Sequence, residues 1–232
     1  MEVWIMGFWL ALICIAGLLA DVWFIRTEYA GDMAKATLLK GIASAFFVLL
    51  GLVCFLKVRT PAGQLIFIGL ILGLFGDVFL NLRNQFEGAK SRAVFAAGIL
   101  AFLSGHFLYI AALIRQSASI LLLSAILTAV LSVAAIPPLM KRITAPSKGL
   151  KIFGYVYLVI VIAMFSCAAS LLFRLGAHLT TILFFIGGLL FMVSDFIMIY
   201  YSFGKKVRPL RAINLITYYI AQLLIALTIL FF

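Results

Sequence analysis

Charged residues are scarce in this sequence. They make up 11% of its 232 positions, whereas a soluble domain carries roughly a quarter. Hydrophobic residues account for 66% of the chain, and the mean hydropathy is +1.27. This composition excludes an ordinary soluble enzyme and indicates an all-α integral membrane protein.

Cysteine is also rare, with three residues at Cys14, Cys54 and Cys167. Each lies in an apolar run, where a thiol packs as a small hydrophobic side chain. The sequence contains no CxxC motif and no paired Cys/His spacing of the kind that binds zinc. We therefore expect no structural metal site, and nothing else in the sequence indicates a cofactor.

Acidic residues number seven against 18 lysines and arginines, which gives a net charge of +11. The basic residues lie in short segments between apolar runs, and none of these segments alternates with aromatic residues on a polar face. This distribution is typical of membrane protein loops and argues against nucleic-acid binding. The lipid bilayer is the expected partner, and the sequence does not indicate an oligomeric state.

Apolar runs of about 20 residues are long enough to span a bilayer. The chain starts with an acid rather than a basic segment, so we interpret the first run as a membrane helix and not as a cleaved signal peptide. Pro137 and Pro138 are expected to end the fifth helix. The sequence predicts a single transmembrane domain over residues 1–232 with eight helices, at residues 3–24, 36–56, 63–82, 93–114, 118–136, 151–173, 178–201 and 211–231.

The basic residues are distributed unequally between the two ends of these helices. The odd-numbered connections hold thirteen of them and the even-numbered connections hold four. Because lysine and arginine concentrate in cytoplasmic loops, the odd-numbered connections are predicted to be cytoplasmic and both termini extracytoplasmic. The short loops favour a multi-pass protein of a bacterial inner membrane.

Two segments suggest an internal repeat. The third predicted helix contains GLFGDVFLN and the seventh contains GGLLFMVSDFIMI, each with an aspartate after an apolar, glycine-rich run. The two helices share a direction in the predicted topology. This pattern fits a parallel four-plus-four duplication.

A few ionisable residues lie inside the predicted spans: Lys40, Asp77, His106 and Asp195, with Asp21 near the end of the first helix. A charge at the bilayer centre costs roughly 2.5–3.5 kcal/mol on insertion scales, so these groups should face the interior of the bundle.

Further polar residues lie at helical spacing beside them. Asn214, Tyr218 and Gln222 share one face of the eighth helix, Asn81 follows Asp77 by one turn, and Tyr155 begins the sixth helix. We therefore expect a polar pocket in the cytoplasmic half of the bundle. Structural roles remain open, because Asp77 could simply pair with Lys40, Lys40 could extend to the headgroups, and His106 could bond a neighbouring helix.

The order of these motifs resembles the YhhN/TMEM86 family of membrane lysoplasmalogenases. The resemblance is carried by Lys40, GLFGDVFLN, FAAGILAFLSGHFLYI, GGLLFMVSDFIMI and TYYIAQLLI, and it covers residues 36 to the end of the chain. It implies an all-helical membrane fold, a lysophospholipid substrate and no metal. It also implies hydrolysis of the vinyl ether bond of a lysoplasmalogen to a fatty aldehyde and a glycerophospho-base, choline or ethanolamine.

Vinyl ether hydrolysis requires a proton donor and a group that stabilises an oxocarbenium-like cation or activates water. Two carboxylates in unlike surroundings can divide these roles. Our hypothesis is that Asp77 and Asp195 form the catalytic pair, with their individual roles undecided. In this hypothesis Lys40, Asn81, His106, Tyr155, Tyr218 and Gln222 bind substrate or orient water.

Three alternatives remain open from the sequence. The intramembrane acids could form the proton relay of a lipid or small-molecule transporter. They could be structural groups of a non-catalytic lipid-binding protein. The same pocket could also hydrolyse the ester of an acyl lysophospholipid.

Overall fold

A computed structural model describes residues 2–144 and 148–232. Within this part of the chain the backbone forms eight α-helices and no strand. They are α1 (Glu2–Ala30), α2 (Met33–Val58), α3 (Pro61–Leu82), α4 (Gly88–Gln116), α5 (Leu121–Met140), α6 (Lys148–Leu175), α7 (Leu179–Phe203) and α8 (Arg208–Thr228). Each of the eight is long and apolar enough to cross a membrane, which confirms the predicted fold class.

Several helices extend beyond the predicted spans, most clearly α1 at its end, whereas α5 begins three residues later than predicted and α8 ends three residues earlier. α1 was predicted to end at residue 24, but it continues to Ala30 and includes Arg26 and Glu28. A hydropathy criterion marks the apolar part of a helix, whereas backbone hydrogen bonds continue into the headgroup region.

The prediction that Pro137 and Pro138 end the fifth helix was wrong. α5 contains both prolines and continues to Met140, and the N–H of Lys141 still donates to the carbonyl of Pro137 at 3.0 Å. The fixed φ of proline is compatible with a helix, and near a helix end few backbone hydrogen bonds are lost.

Local sequence signals explain where α2 and α3 begin. Asp32 precedes α2, and its carboxylate accepts a hydrogen bond from the N–H of Lys35 at 3.0 Å. Thr60 precedes α3, and its hydroxyl accepts from the N–H of Gly63 at 3.1 Å, with Pro61 in the first helical position. Both residues are therefore N-caps.

The helices pack so that α8 lies centrally. It runs along α7 and also contacts α1, α2 and α3, while α3 runs along α4 and α5 packs on α6. Gly105 of α4 allows the close approach to α3, because a Cβ at this position would lie 3.1 Å from the carbonyl oxygen of Gly69. This packing places polar side chains of α2, α3, α4, α6, α7 and α8 in the interior of the bundle.

Candidate functional site

A cavity of about 540 Å³ opens where the odd-numbered connections lie. Seven helices, α1–α4 and α6–α8, contribute to its wall. Five of the predicted site residues line it: Lys40, Asp77, Asn81, Asp195 and Tyr218. The two aspartates, 118 positions apart in the sequence, thus face one cavity between the helices.

Asp77 on α3 is buried and surrounded by hydrogen-bond donors. Its Oδ1 lies 3.2 Å from the Nζ of Lys40, and its Oδ2 accepts from the hydroxyls of Ser44 and Tyr218, each at 2.7 Å. These groups come from α2 and α8, so three helices meet at this carboxylate. Three donors, one of them a cation, are what an ionised carboxylate requires away from water.

Asp195 on α7 has different surroundings, although its exposed fraction of 4% is also small. Its Oδ2 accepts from the hydroxyl of Tyr157 at 2.7 Å. Its Oδ1 accepts no hydrogen bond from the described residues, and none of their lysines or arginines forms an ion pair with it. The two aspartates of the cavity therefore differ in both the number and the charge of their partners.

His106 on α4 faces Asp195 with an unsatisfied nitrogen. Its Nδ1 lies 2.7 Å from the carbonyl oxygen of Phe102, which can only accept, so Nδ1 carries a proton. Its Nε2 has no hydrogen-bond partner among the described residues and lies 3.7 Å from Oδ2 of Asp195. The lone pair of a neutral ring in this tautomer lies on Nε2, and the 3.7 Å separation from Oδ2 is longer than a hydrogen bond, so the two groups are neighbours without a direct bond.

Tyr218 is held in place by a chain of side-chain hydrogen bonds. The amide nitrogen of Gln222 donates to the Tyr218 hydroxyl at 3.0 Å, and the amide oxygen of Gln222 accepts from Tyr109 at 3.0 Å. Gly73 leaves space for this amide, since a Cβ there would lie 2.6 Å from its nitrogen. Gln222 thus positions Tyr218 and does not itself line the cavity.

Asn81 lies in the cavity as predicted, but Tyr155 does not. Asn81 lines the cavity and donates to the hydroxyl of Thr37 at 3.2 Å. Tyr155 is half-buried against the hydrophobic core and does not line the cavity, whereas Tyr157, two residues later, does. Two residues rotate a helix by about 200°, so the two tyrosines lie on different faces of α6.

Ser194, the residue before Asp195, is fully occupied by hydrogen bonds to α8. Its hydroxyl donates to the carbonyl of Asn214 at 3.0 Å, and the Asn214 amide donates back to the Ser194 hydroxyl at 2.7 Å. No histidine of the described chain bonds this hydroxyl. The pair therefore joins α7 to α8 and lacks the base that a serine nucleophile needs.

Sequence reasoning missed four further residues at the site. Ser44 lies one helical turn after Lys40, and this spacing could have indicated it. Tyr157 has no signal that separates it from Tyr155. Glu28 and Arg211 form a two-pronged ion pair at 2.8 and 2.9 Å that joins α1 to α8 beside the cavity, and no local pattern connects residues so far apart.

Histidine, cysteine and carboxylate side chains do not cluster as metal ligands in residues 2–144 and 148–232. No group of three or more of them could hold an ion there. The ionisable side chains that line the cavity carry carboxyl, phenol, ammonium and guanidinium groups.

Comparison with known proteins identifies the family to which the chain belongs. The model of the YhhN family matches residues 35–229, a range that contains Asp77, Asp195 and the side chains that contact them. No curated protein and no solved structure matched the chain. The match covers most of the sequence and confirms the resemblance seen in its motifs, so this multi-pass membrane protein belongs to the YhhN family.

Proposed function

We propose that this protein is a lysoplasmalogenase, which hydrolyses the vinyl ether bond of a choline or ethanolamine lysoplasmalogen. The observation that carries the proposal is the pair of buried aspartates with unlike partners on one cavity wall. Acid catalysis of this reaction needs one carboxyl group that holds a proton and one that remains charged.

The contacts support Asp195 as the proton donor. A buried carboxyl group without a cation favours its neutral form, whereas one beside a lysine favours its charged form. Asp195 has a neutral phenol as its donor, and its Oδ1 is free to carry a proton toward a substrate. Asp77, with Lys40 and two hydroxyls, is the carboxylate in this assignment.

The proposed reaction starts with transfer of this proton from Asp195 to the alkene carbon that is not bonded to oxygen. The carbon–carbon double bond supplies the electrons, and the positive charge is shared between the ether oxygen and the carbon attached to it. The new Asp195 carboxylate and Asp77 stabilise this cation. The contacts of Asp77 fix its position before the charge develops.

Water then adds to the carbon that carries the charge, and its proton returns to Asp195. The resulting hemiacetal breaks its bond to the glycerol oxygen, which leaves with a proton, while the hemiacetal hydroxyl loses one and becomes the aldehyde. The net change consumes one water and no other reactant. It requires no metal or redox group.

The wall of the cavity suits an amphiphilic, single-chain substrate. Its apolar part includes Leu80, Ile99, Phe102 and Met198, and its polar part includes Asp77 and Asp195. A volume of a few hundred Å³ is typical of small-ligand sites. The predicted topology opens it toward the cytoplasmic leaflet, from which a lysolipid could enter.

The experiment is product analysis with protein purified in detergent. We expect fatty aldehyde from lysoplasmenylcholine and lysoplasmenylethanolamine, and no fatty acid from the acyl lysolipid of the same chain length. Fatty acid release would instead support an ester hydrolase. No product from folded protein would support transport or lipid binding, because detergent solution contains no gradient to drive a transporter.

A further inference from the structure

We propose that Arg83, with Lys206 and Arg208, forms a subsite for the phosphate of the lysolipid headgroup at the mouth of the cavity. This inference rests on the proposed function. In this assignment Lys40, which the sequence indicated as a substrate-binding residue, pairs with Asp77 and does not bind the phosphate.

The charges in the cavity wall support this division. Five cationic side chains line the cavity: Lys40, Arg83, Lys206, Arg208 and Arg211. Lys40 is paired with Asp77, and Arg211 is paired with Glu28 through two hydrogen bonds. In the described part of the chain, the other three cations have no carboxylate partner. The mouth therefore carries an uncompensated positive charge, and its matching ligand is an anion.

Arg83 is the most constrained of these three cations. It is half-buried, and its guanidinium carbon lies 4.3 Å from the centre of the Phe95 ring, which also lines the cavity. The guanidinium makes no hydrogen bond to the described residues, so its N–H groups remain available. A planar guanidinium held by an aromatic ring is preorganised for two-pronged binding of phosphate oxygens.

Lys206 and Arg208 line the same cavity from the connection before α8 and from the start of that helix. Arg208 is the first residue of α8, and the N-terminus of a 21-residue helix adds partial positive charge there. Both side chains are exposed. They can therefore adjust to a headgroup, whereas Arg83 fixes its position.

The depth of Arg83 matches the structure of the substrate. Arg83 follows Asp77 by six residues, which corresponds to about 9 Å along a helix axis. In a lysoplasmalogen the three-carbon glycerol unit separates the ether oxygen from the phosphate. A phosphate at Arg83 would therefore leave the vinyl ether within reach of the aspartates.

The test measures binding of ligands that cannot be hydrolysed. The hexadecyl ether of glycerophosphocholine and the hexadecyl ether of glycerol share the chain and lack the vinyl bond. Their affinities for purified protein in a phosphate-free detergent are measured by calorimetry, for wild type, Arg83→Gln and Arg92→Gln. Arg92 is an exposed arginine of α4 that does not line the cavity, so it is a matched control.

We expect Arg83→Gln to lose roughly tenfold in affinity for the phosphocholine ether relative to the glycerol ether, as expected for one charge-assisted contact. Arg92→Gln should keep the wild-type ratio. Equal affinity of the wild type for both ethers, or an unchanged ratio in folded Arg83→Gln, would overturn the subsite. Both results are independent of turnover, so they are distinct from failure of the proposed reaction.

Inorganic phosphate is added at the concentration of the ether to separate two sources of the anion. We expect it not to displace the phosphocholine ether, because the chain supplies part of the binding. Displacement at this concentration would show a site for free phosphate and contradict a lipid headgroup site.

Discussion

Lys40 and Asp77 form a buried ion pair in which Nζ lies 3.2 Å from Oδ1. The exposed fraction of each residue is 4% or less. The pair joins α2 to α3, and the hydroxyls of Ser44 and Tyr218 complete the coordination of the carboxylate. The ammonium group and the two hydroxyls stabilise the ionised form of Asp77 inside a membrane protein, where an isolated charge would be costly.

Removing the charge of Asp77 should destabilise the protein because Lys40 would remain buried without a partner. We expect Asp77→Asn to lose about 3–5 kcal/mol of stability, the usual cost of breaking a buried pair. Lys40→Met combined with Asp77→Asn should recover part of this loss. Thermal unfolding in detergent of the two single variants and the double variant gives the coupling between the residues. Additive effects would mean that the ion pair does not contribute.

Tyr157 should matter for turnover, and Tyr155 should not. Tyr157→Phe removes the hydrogen bond to Asp195, and a loss of about tenfold in kcat is expected for one buried hydrogen bond. Tyr155→Phe is the matched control, since this side chain does not line the cavity. Equal kcat values for the two variants in aldehyde release would contradict the role given to Tyr157.

These two tyrosines also illustrate what the sequence could and could not predict. Long apolar runs predicted eight helices, and the rarity of intramembrane charge predicted that Asp77 and Asp195 would face the interior. The rotation of α6 about its axis depends on packing against α4 and α7, and hydropathy contains no information about it. The choice between Tyr155 and Tyr157 therefore required the structure.

The partners of the aspartates were harder to predict for a similar reason. Each aspartate is contacted from the preceding helix: Asp77 on α3 by Lys40 on α2, and Asp195 on α7 by Tyr157 on α6. Each is also approached from the last helix of the other four-helix half: Asp77 by Tyr218 on α8, and Asp195 by His106 on α4. This exchange fits the predicted four-plus-four duplication, but it joins residues that no local spacing relates.

Gln222 should affect catalysis through Tyr218. Gln222→Leu removes both the donor to Tyr218 and the acceptor for Tyr109, so the Tyr218 hydroxyl is less firmly held toward Asp77. We expect kcat to fall about tenfold with little change in KM, as for an interaction that acts on the transition state. Gln64→Leu, at an exposed position of α3, is the control. A rise in KM with unchanged kcat would instead indicate that Gln222 binds substrate.

Ser194 should be dispensable for the reaction. In Ser194→Ala, Asn214 keeps its hydrogen bond to the backbone carbonyl of Ser194 at 2.9 Å, so the contact between α7 and α8 remains. We expect aldehyde release within about twofold of the wild type, since the two hydrogen bonds that are lost both join Ser194 to Asn214 and involve no proposed catalytic group. Complete loss of activity in folded Ser194→Ala would point to covalent catalysis through the serine.

The predicted topology can be tested by labelling of single cysteines in intact cells. With the three native cysteines replaced by alanine, Ser117→Cys between α4 and α5 should react with a membrane-impermeant maleimide from outside. Lys90→Cys, in the first turn of α4, should react only after the cells are permeabilised. The opposite pattern would place the cavity mouth on the extracytoplasmic side, because Lys90 lies at the same end of the bundle as the cavity.

Asp195 is proposed to donate the proton that opens the vinyl ether, and aldehyde release by purified Asp195→Asn tests this role most directly. The matched control is Asp32→Asn, because Asp32 is an exposed aspartate outside the cavity and asparagine is also a good N-cap. We predict wild-type release for Asp32→Asn and none above background for Asp195→Asn with an unchanged unfolding temperature. Release at the wild-type rate by folded Asp195→Asn would contradict this role.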